Sequence, residues 1–204
     1  MNYLAHIFLS GIEEEIIIGN FIGDYIKGKD YNKYPDLIKK GILLHRRIDT
    51  FTDKHKIVNQ SKSYFYKHYH KYSGIVIDIL YDHFLAHSWD YFSPQPLDDF
   101  KKDIFDCLKR NYAVLPERVQ FFVPSFIKND WINVYRSVEG VIMVLNRMSM
   151  RTTLPDKGEY AREVIKKYYI QLQSEFLTFF PEIIKYVVNK RGITLCLRFN
   201  EILE

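Results

Sequence analysis

Ile75-Val-Ile-Asp78-Ile-Leu-Tyr-Asp82-His83-Phe-Leu-Ala-His87-Ser-Trp89 is the stretch whose reading decides the fold. It is strongly apolar, with β-branched residues first and Leu, Phe and Ala later, and it holds neither Gly nor Pro after Gly74. A run of that length and pattern is a helix buried on most of its sides. Two carboxylates and two imidazoles nevertheless stand in it. Asp78 and Asp82 are spaced i, i+4 and project from one face, and His83 and His87 form a second such pair about 100° further round. Carboxylates are costly in an apolar helix unless they have partners, and a divalent metal suits two carboxylates and an imidazole.

Working towards the N-terminus, residues 2–9 read as a short apolar helix containing His6. Ser10 followed by Glu13 resembles a capping box for a second helix, which runs to about Lys27 and stops at Gly28. This helix carries Gly19-Asn-Phe-Ile-Gly23-Asp24, and its two glycines leave one face bare for close approach of another helix. Pro35 stands at the first position of a helix from Asp36 to about Thr50, in which His45 and Asp49 share a face. Thr50-Phe-Thr-Asp53-Lys-His55 reads as a helix end or tight turn, and a half-exposed helix from Lys56 to Tyr69 follows. Working towards the C-terminus, Ser93-Pro-Gln-Pro96 is the clearest break, read as a loop inside one domain. Helices are expected near 97–112, 117–130, 132–149 and 157–179, with Pro181 opening another short one. Residues 189–204 carry no assignment. No segment alternates with period two, so strands are not expected. The chain therefore predicts an all-α protein, a single helical domain over residues 1–188.

Composition narrows the function classes. The 204 residues are 47% hydrophobic, enough for one substantial core. Cys107 and Cys196 match no metal or redox spacing and fit a reducing compartment. The N-terminus has no basic region before its apolar run, and no window approaches a membrane span, so a cytoplasmic setting is expected. The net charge of +4 suits an acidic partner without demanding nucleic acid. All seven histidines lie at or before His87, so any metal site draws mainly on the first half.

That half supplies the candidate set: His6, Asp24, His45, Asp49, Asp53, His55, Asp78, Asp82, His83 and His87. Any single member is explained by a cap or an ion pair, and Asp53-Lys54-His55 by a helix-terminal turn. Together, five aspartates and several histidines on buried helix faces would cost on the order of tens of kcal/mol if unpaired. Either a metal site or a dense ion network with Arg46 and Arg47 is required. No His-Glu-x-x-His, Glu-x-x-His, cysteine cluster, EF-hand loop or phosphate-binding Gly-Lys-Ser/Thr loop is present. A mixed His/Asp helical site fits hydrolytic Mn²⁺, Mg²⁺ or Fe²⁺ better than structural zinc. Arg46-Arg47 beside it could clamp a phosphate or simply pair with Asp49 or Asp53.

Four motifs in order, Met1-Asn-Tyr-Leu-Ala-His6, Gly19-Asn-Phe-Ile-Gly-Asp24, Leu44-His-Arg-Arg-Ile-Asp49-Thr-Phe-Thr-Asp53-x-His55 and Asp78-x-x-x-Asp82-His83-Phe-Leu-Ala, resemble the acyl carrier protein phosphodiesterases. In the second half the likeness is one of length and helicity, with Arg147 and Arg151 the best-placed residues. The resemblance implies an HD-like helical bundle that removes the phosphopantetheine arm from holo acyl carrier protein with a divalent metal, typically manganese. The doublet Asp82-His83 reverses the usual His-Asp order of HD-type phosphohydrolases, so ligands do not transfer from those enzymes position by position. On this reading Asp24, His45, Asp78, Asp82 and His83 surround the metal. His6, Asp49, Asp53 and His55 are outer ligands or orienters, and Arg46 or Arg47 holds the phosphate. Two rivals stand beside it: an HD-like phosphohydrolase of a small nucleotide, and a non-catalytic helical binding module whose polar core is an ion network.

Overall fold

The apolar run around residue 80 forms the axis of the molecule. In the structure, a computed structural model that describes residues 1–203, it is helix α5, Ser73–His87. Ile77, Leu80, Tyr81, Phe84 and Leu85 have no exposure at all, and each such side chain contributes about 1.5–3 kcal/mol by leaving water. Among the described residues ten more α-helices accompany it: α1 Tyr3–Phe8, α2 Glu14–Phe21, α3 Asp36–Lys54, α4 Lys56–Tyr69, α6 Trp89–Phe92, α7 Leu97–Arg110, α8 Glu117–Lys128, α9 Trp131–Val134, α10 Val138–Ser149 and α11 Gly158–Arg191. The chain is a single all-α domain, and no strand occurs among the described residues. α5 packs against α1, α4, α10 and α11, while α2 and α3 form the closest helix pair. Among the described residues no helix is long and apolar enough to cross a membrane.

Glycine explains that close pair. A Cβ at Gly19 would run into the Ile38 carbonyl, and one at Gly41 into the Ile16 carbonyl. Backbone therefore lies on backbone where α2 crosses α3, and this brings the α2 residue Asn20 against His45. Gly23 repeats the device one turn later, where the His45 ring occupies the space a Cβ would need.

Several boundaries differ from the sequence expectation, each for a local reason. α2 ends at Phe21 rather than near Lys27; Ile22 closes it with its N–H on the Ile18 carbonyl, and a tight turn over Gly23–Tyr25 follows. Ser10 does not cap α2, because its hydroxyl donates back to the His6 carbonyl at 2.7 Å, an alternative open to any serine near a helix end. The helix expected over 132–149 is two, since Ser137 starts α10 by accepting from Gly140 N–H at 3.1 Å. Pro181 opens no new helix: α11 runs through it, and the break in α11 lies at Tyr168, with φ −117° and ψ 21°. Leu177, whose carbonyl the missing proline N–H would have met, is exposed, so that carbonyl is open to solvent.

Candidate metal centre

Four elements deliver side chains to one point. α1 brings His6, α2 brings Asn20, the turn after α2 brings Asp24, and α3 brings His45 and Asp49 from adjacent turns of one face. The two imidazoles stack with their centroids 4.0 Å apart and an interplanar angle of 18°. Both are buried, at 3% and 6% exposure. Asp49 touches both rings, Oδ1 lying 3.1 Å from His6 Nε2 and Oδ2 lying 3.2 Å from His45 Nε2. Asp24 Oδ1 approaches His45 Nε2 at 3.1 Å from the solvent side. A cavity of about 20 Å³ sits here, lined by His6, Asn20, Asp24 and His45 with Met1, Asn2, Tyr3 and Phe21. That is room for one small ion or one water.

The protonation pattern follows from Asn20. Its side-chain N–H donates to the His6 carbonyl at 2.9 Å, so its Oδ1 faces the rings as acceptor. His6 Nδ1 and His45 Nδ1 lie 2.9 and 3.1 Å from that oxygen, and His45 Nδ1 is also 2.9 Å from the Asn20 carbonyl. Both rings must carry a proton on Nδ1, because only acceptors face it. In the neutral form of either ring, Nε2 then turns a lone pair towards a carboxylate oxygen. Two acceptors at hydrogen-bond distance need a positive charge between them, either a proton or a metal.

Protons satisfy only part of this requirement. Burial lowers the His6 pKa to about 4, the neighbouring His45 adding to the effect, so His6 is neutral at pH 7. Burial also opposes charge on His45, but Asp24 and Asp49 outweigh it and raise its pKa to about 9. Burial would raise the Asp49 carboxyl, yet the two imidazoles hold it well below the usual carboxylate range. The His45 hydrogen bond holds Asp24 low as well. A neutral His6 protonated on Nδ1 leaves its Nε2 lone pair facing Asp49 with nothing between them. A divalent cation removes that conflict, and His6, His45 and Asp49 offer ligand atoms all within 4.8 Å of one another. The two imidazole nitrogens and two carboxylates fit such an ion in both charge and ligand type.

The other expected site residues have different partners. Asp78 Oδ1 binds the Met1 ammonium at 2.8 Å. Asp82, wholly buried, accepts from Leu4 N–H at 2.7 Å and Ala5 N–H at 3.1 Å. It thereby takes up free amide donors at the start of α1, where a helix favours negative charge. His83 Nδ1 donates to the Tyr135 carbonyl at 2.8 Å, and its Nε2 accepts from the Tyr169 hydroxyl at 2.9 Å. Exposed Asp53 pairs with Lys62 at 2.8 Å, and His55 meets Glu182 at 3.0 Å. The Arg46 guanidinium donates to the Ile26 and Gly28 carbonyls, both at 2.7 Å, and so fastens the segment after Asp24 to α3. The structure thus gathers His6, Asp24, His45 and Asp49, and it uses Asp78 and Asp82 to dock the helix that carries His6. Asn20 was not among the expected residues. Its signal in the sequence is a lone amide inside Ile16-Ile-Ile-Gly-Asn20-Phe-Ile22, at a position that caps nothing.

A family profile described as acyl carrier protein phosphodiesterase matches residues 1–183. The chain belongs to this family. A relative of that name from Yersinia pestis is 30% identical over 192 residues, covering 94% of this chain and 100% of the relative. Another from Pectobacterium atrosepticum is 32% identical over 186 residues, covering 91% and 96%. No solved structure matches. The family match spans every residue of the cluster, from His6 to Asp49, and the docking pair Asp78 and Asp82 as well.

The role of Asn20 is open to a direct check. Outer groups that orient metal-binding histidines typically account for about 10–100-fold in metal affinity. Asn20→Leu should weaken Mn²⁺ binding by that order, and Asn20→Asp, which keeps an acceptor for both Nδ1–H groups, should weaken it less. Equal Mn²⁺ affinity in wild type and Asn20→Leu, measured by calorimetric titration, would show that Asn20 does not set the tautomers.

Proposed function

We propose that this protein hydrolyses the phosphodiester that joins 4'-phosphopantetheine to holo acyl carrier protein, giving the apo carrier, in the cytoplasm and with a divalent metal, Mn²⁺ by preference over Mg²⁺ or Fe²⁺. The observation that carries this reading is the convergence of His6 Nε2, His45 Nε2 and an Asp49 oxygen within 4.8 Å of one another, next to an ion-sized cavity lined by both rings and exposed Asp24. Family membership supplies the substrate class. A bound divalent cation supplies Lewis acidity, lowering the pKa of a water and offsetting charge on the phosphoryl oxygens. His6, His45 and Asp49 would hold it, with Asp24 as the fourth donor or as the group facing the attacking water.

The chain's own residues account for the rest. Asn20 accepts from both Nδ1 atoms and so leaves Nε2 of each ring as the ligating atom. Asp24 stays ionised and its carboxylate is 80% exposed, so it is placed to accept a proton from a water on the substrate side. Tyr3 lines the cavity, and its hydroxyl lies 3.2 Å from that of Tyr25; the pair would donate to phosphoryl oxygens. Burial and its Tyr25 neighbour raise the Tyr3 pKa well above 10, which keeps it a donor at working pH. The cavity, about 20 Å³, is too small for the substrate phosphate, so the diester would lie outside it, beside Asp24 and Tyr3.

Incubation with holo acyl carrier protein and Mn²⁺ should reduce the carrier's mass by that of the phosphopantetheine group. Chelation should abolish the change, and Mn²⁺ should restore it better than Ca²⁺, which prefers more oxygen ligands and activates water poorly. Turnover of a nucleotide phosphoester with the carrier untouched would favour a small-molecule phosphohydrolase. Full activity after exhaustive chelation would remove the metal from the mechanism.

A further inference from the structure

A second concave site lies on the opposite side of α3. Lys40, Leu43 and Arg47 follow one another at i, i+3 and i+7, roughly half a turn round the helix from His45 and Asp49. With the end of α11 they enclose a groove of about 290 Å³, at the lower edge of the range of about 300–1,000 Å³ usual for ligand pockets. Its floor is aliphatic: Leu44 and Ile193 are buried at 2% and 3% exposure, and half-buried Leu43 lines it with them. Four cations stand around it, Lys39, Lys40, Arg47 and Arg191, against the single carboxylate of Asp36.

Among the described residues, none of these four cations has a carboxylate within 4.0 Å. Their contacts are neutral. Lys40 Nζ reaches the Gly192 carbonyl at 3.4 Å, Arg191 donates to the Tyr186 hydroxyl at 2.6 Å, and Lys39 lies over the Tyr31 ring at 5.7 Å. Four like charges around one small groove repel one another, and an anion between them relieves that repulsion. An inorganic anion would leave the aliphatic floor wet, and a neutral hydrocarbon would leave the charges uncompensated. We propose that this groove binds an amphiphilic anion, a carboxylate or phosphate head carrying a short aliphatic body, at a site separate from the His6–His45–Asp49 cluster.

The test is calorimetric titration of the intact protein with monomeric decanoate, decyl phosphate, inorganic phosphate and decyl maltoside. Decanoate or decyl phosphate should saturate at one per chain, the tighter of the two identifying the head group. Inorganic phosphate and decyl maltoside should bind at least tenfold more weakly. Arg47→Glu, a change at an exposed residue without partners, should weaken the amphiphile at least tenfold with helicity retained. Lys39→Glu is the second variant should the first fail to fold. Absence of saturable binding, affinity unchanged by a folded variant, or phosphate binding as tightly as the amphiphiles would overturn the proposal. Uptake by anionic vesicles without binding of the monomers would overturn it too, in favour of a membrane surface.

Discussion

Asp49→Ala is expected to lower kcat/KM by roughly a thousandfold. The carboxylate meets the Nε2 atoms of both imidazoles of the cluster, the atoms that would bind a cation. Removing a ligand of a catalytic cation forfeits several kcal/mol of transition-state stabilisation, and about 1.4 kcal/mol is a factor of ten. The fold should survive, because Asp49 is half exposed and makes no other contact that holds α3 in place. The informative measurements are metal content of the purified variant, helicity and turnover of the holo carrier. All three should be compared with Asp49→Asn, which keeps the shape, loses the charge and presents an N–H₂ to one of the two lone pairs. A variant that keeps its metal and stays within tenfold of wild type would take Asp49 out of the centre.

Asp82→Ala is expected to act through stability, with loss of the metal centre following from it. The substitution strands the Leu4 and Ala5 amides in a buried place, and each buried unsatisfied donor costs about 1–3 kcal/mol. α1 has six residues, too few to be helical unaided, so it should loosen and carry His6 away from Asp49. A lowered Tm together with weakened metal binding is the expected pair of results. An unchanged Tm with lost metal would instead make Asp82 a ligand, which is how its spacing from Asp78 reads in the sequence. The pH dependence gives a second check. Burial raises the Asp82 carboxyl to about 7, against the pull of the two amides. Between its unfolded value near 4 and about 7, the folded chain holds a proton that the unfolded chain has released. Stability contributed by this group is therefore lost as pH rises through that window. Asp82→Asn should lack that slope.

These two aspartates mark where legibility in the sequence stops. The all-α class and the central position of α5 could be read from period and composition, because a long apolar run without Gly or Pro has few other solutions. The shared face of His45 and Asp49 was equally legible, being a local consequence of i, i+4 spacing. What Asp78 and Asp82 face was not. Two carboxylates four apart look the same whether a cation or the start of another helix lies opposite, and the partners here are 77 and 78 residues away. Asn20 escaped for a different reason. A neutral amide carries no charge whose burial demands an explanation, and its role depends on three chain segments meeting at one oxygen. Helix ends failed where a side chain had two options, as Ser10 did.

The docking of α1 by Asp82 also orders events during synthesis. His6, Asn20, Asp24, His45 and Asp49 all leave the ribosome before residue 82 does, at about 5–20 residues per second. For those seconds the nascent chain displays every group of the centre without the carboxylate that seats the first of them. If the cluster binds a metal as proposed, capture by the growing polypeptide would wait until α5 has emerged and closed over α1. A translation product cut short before α5 would carry the complete set of donors and never assemble them.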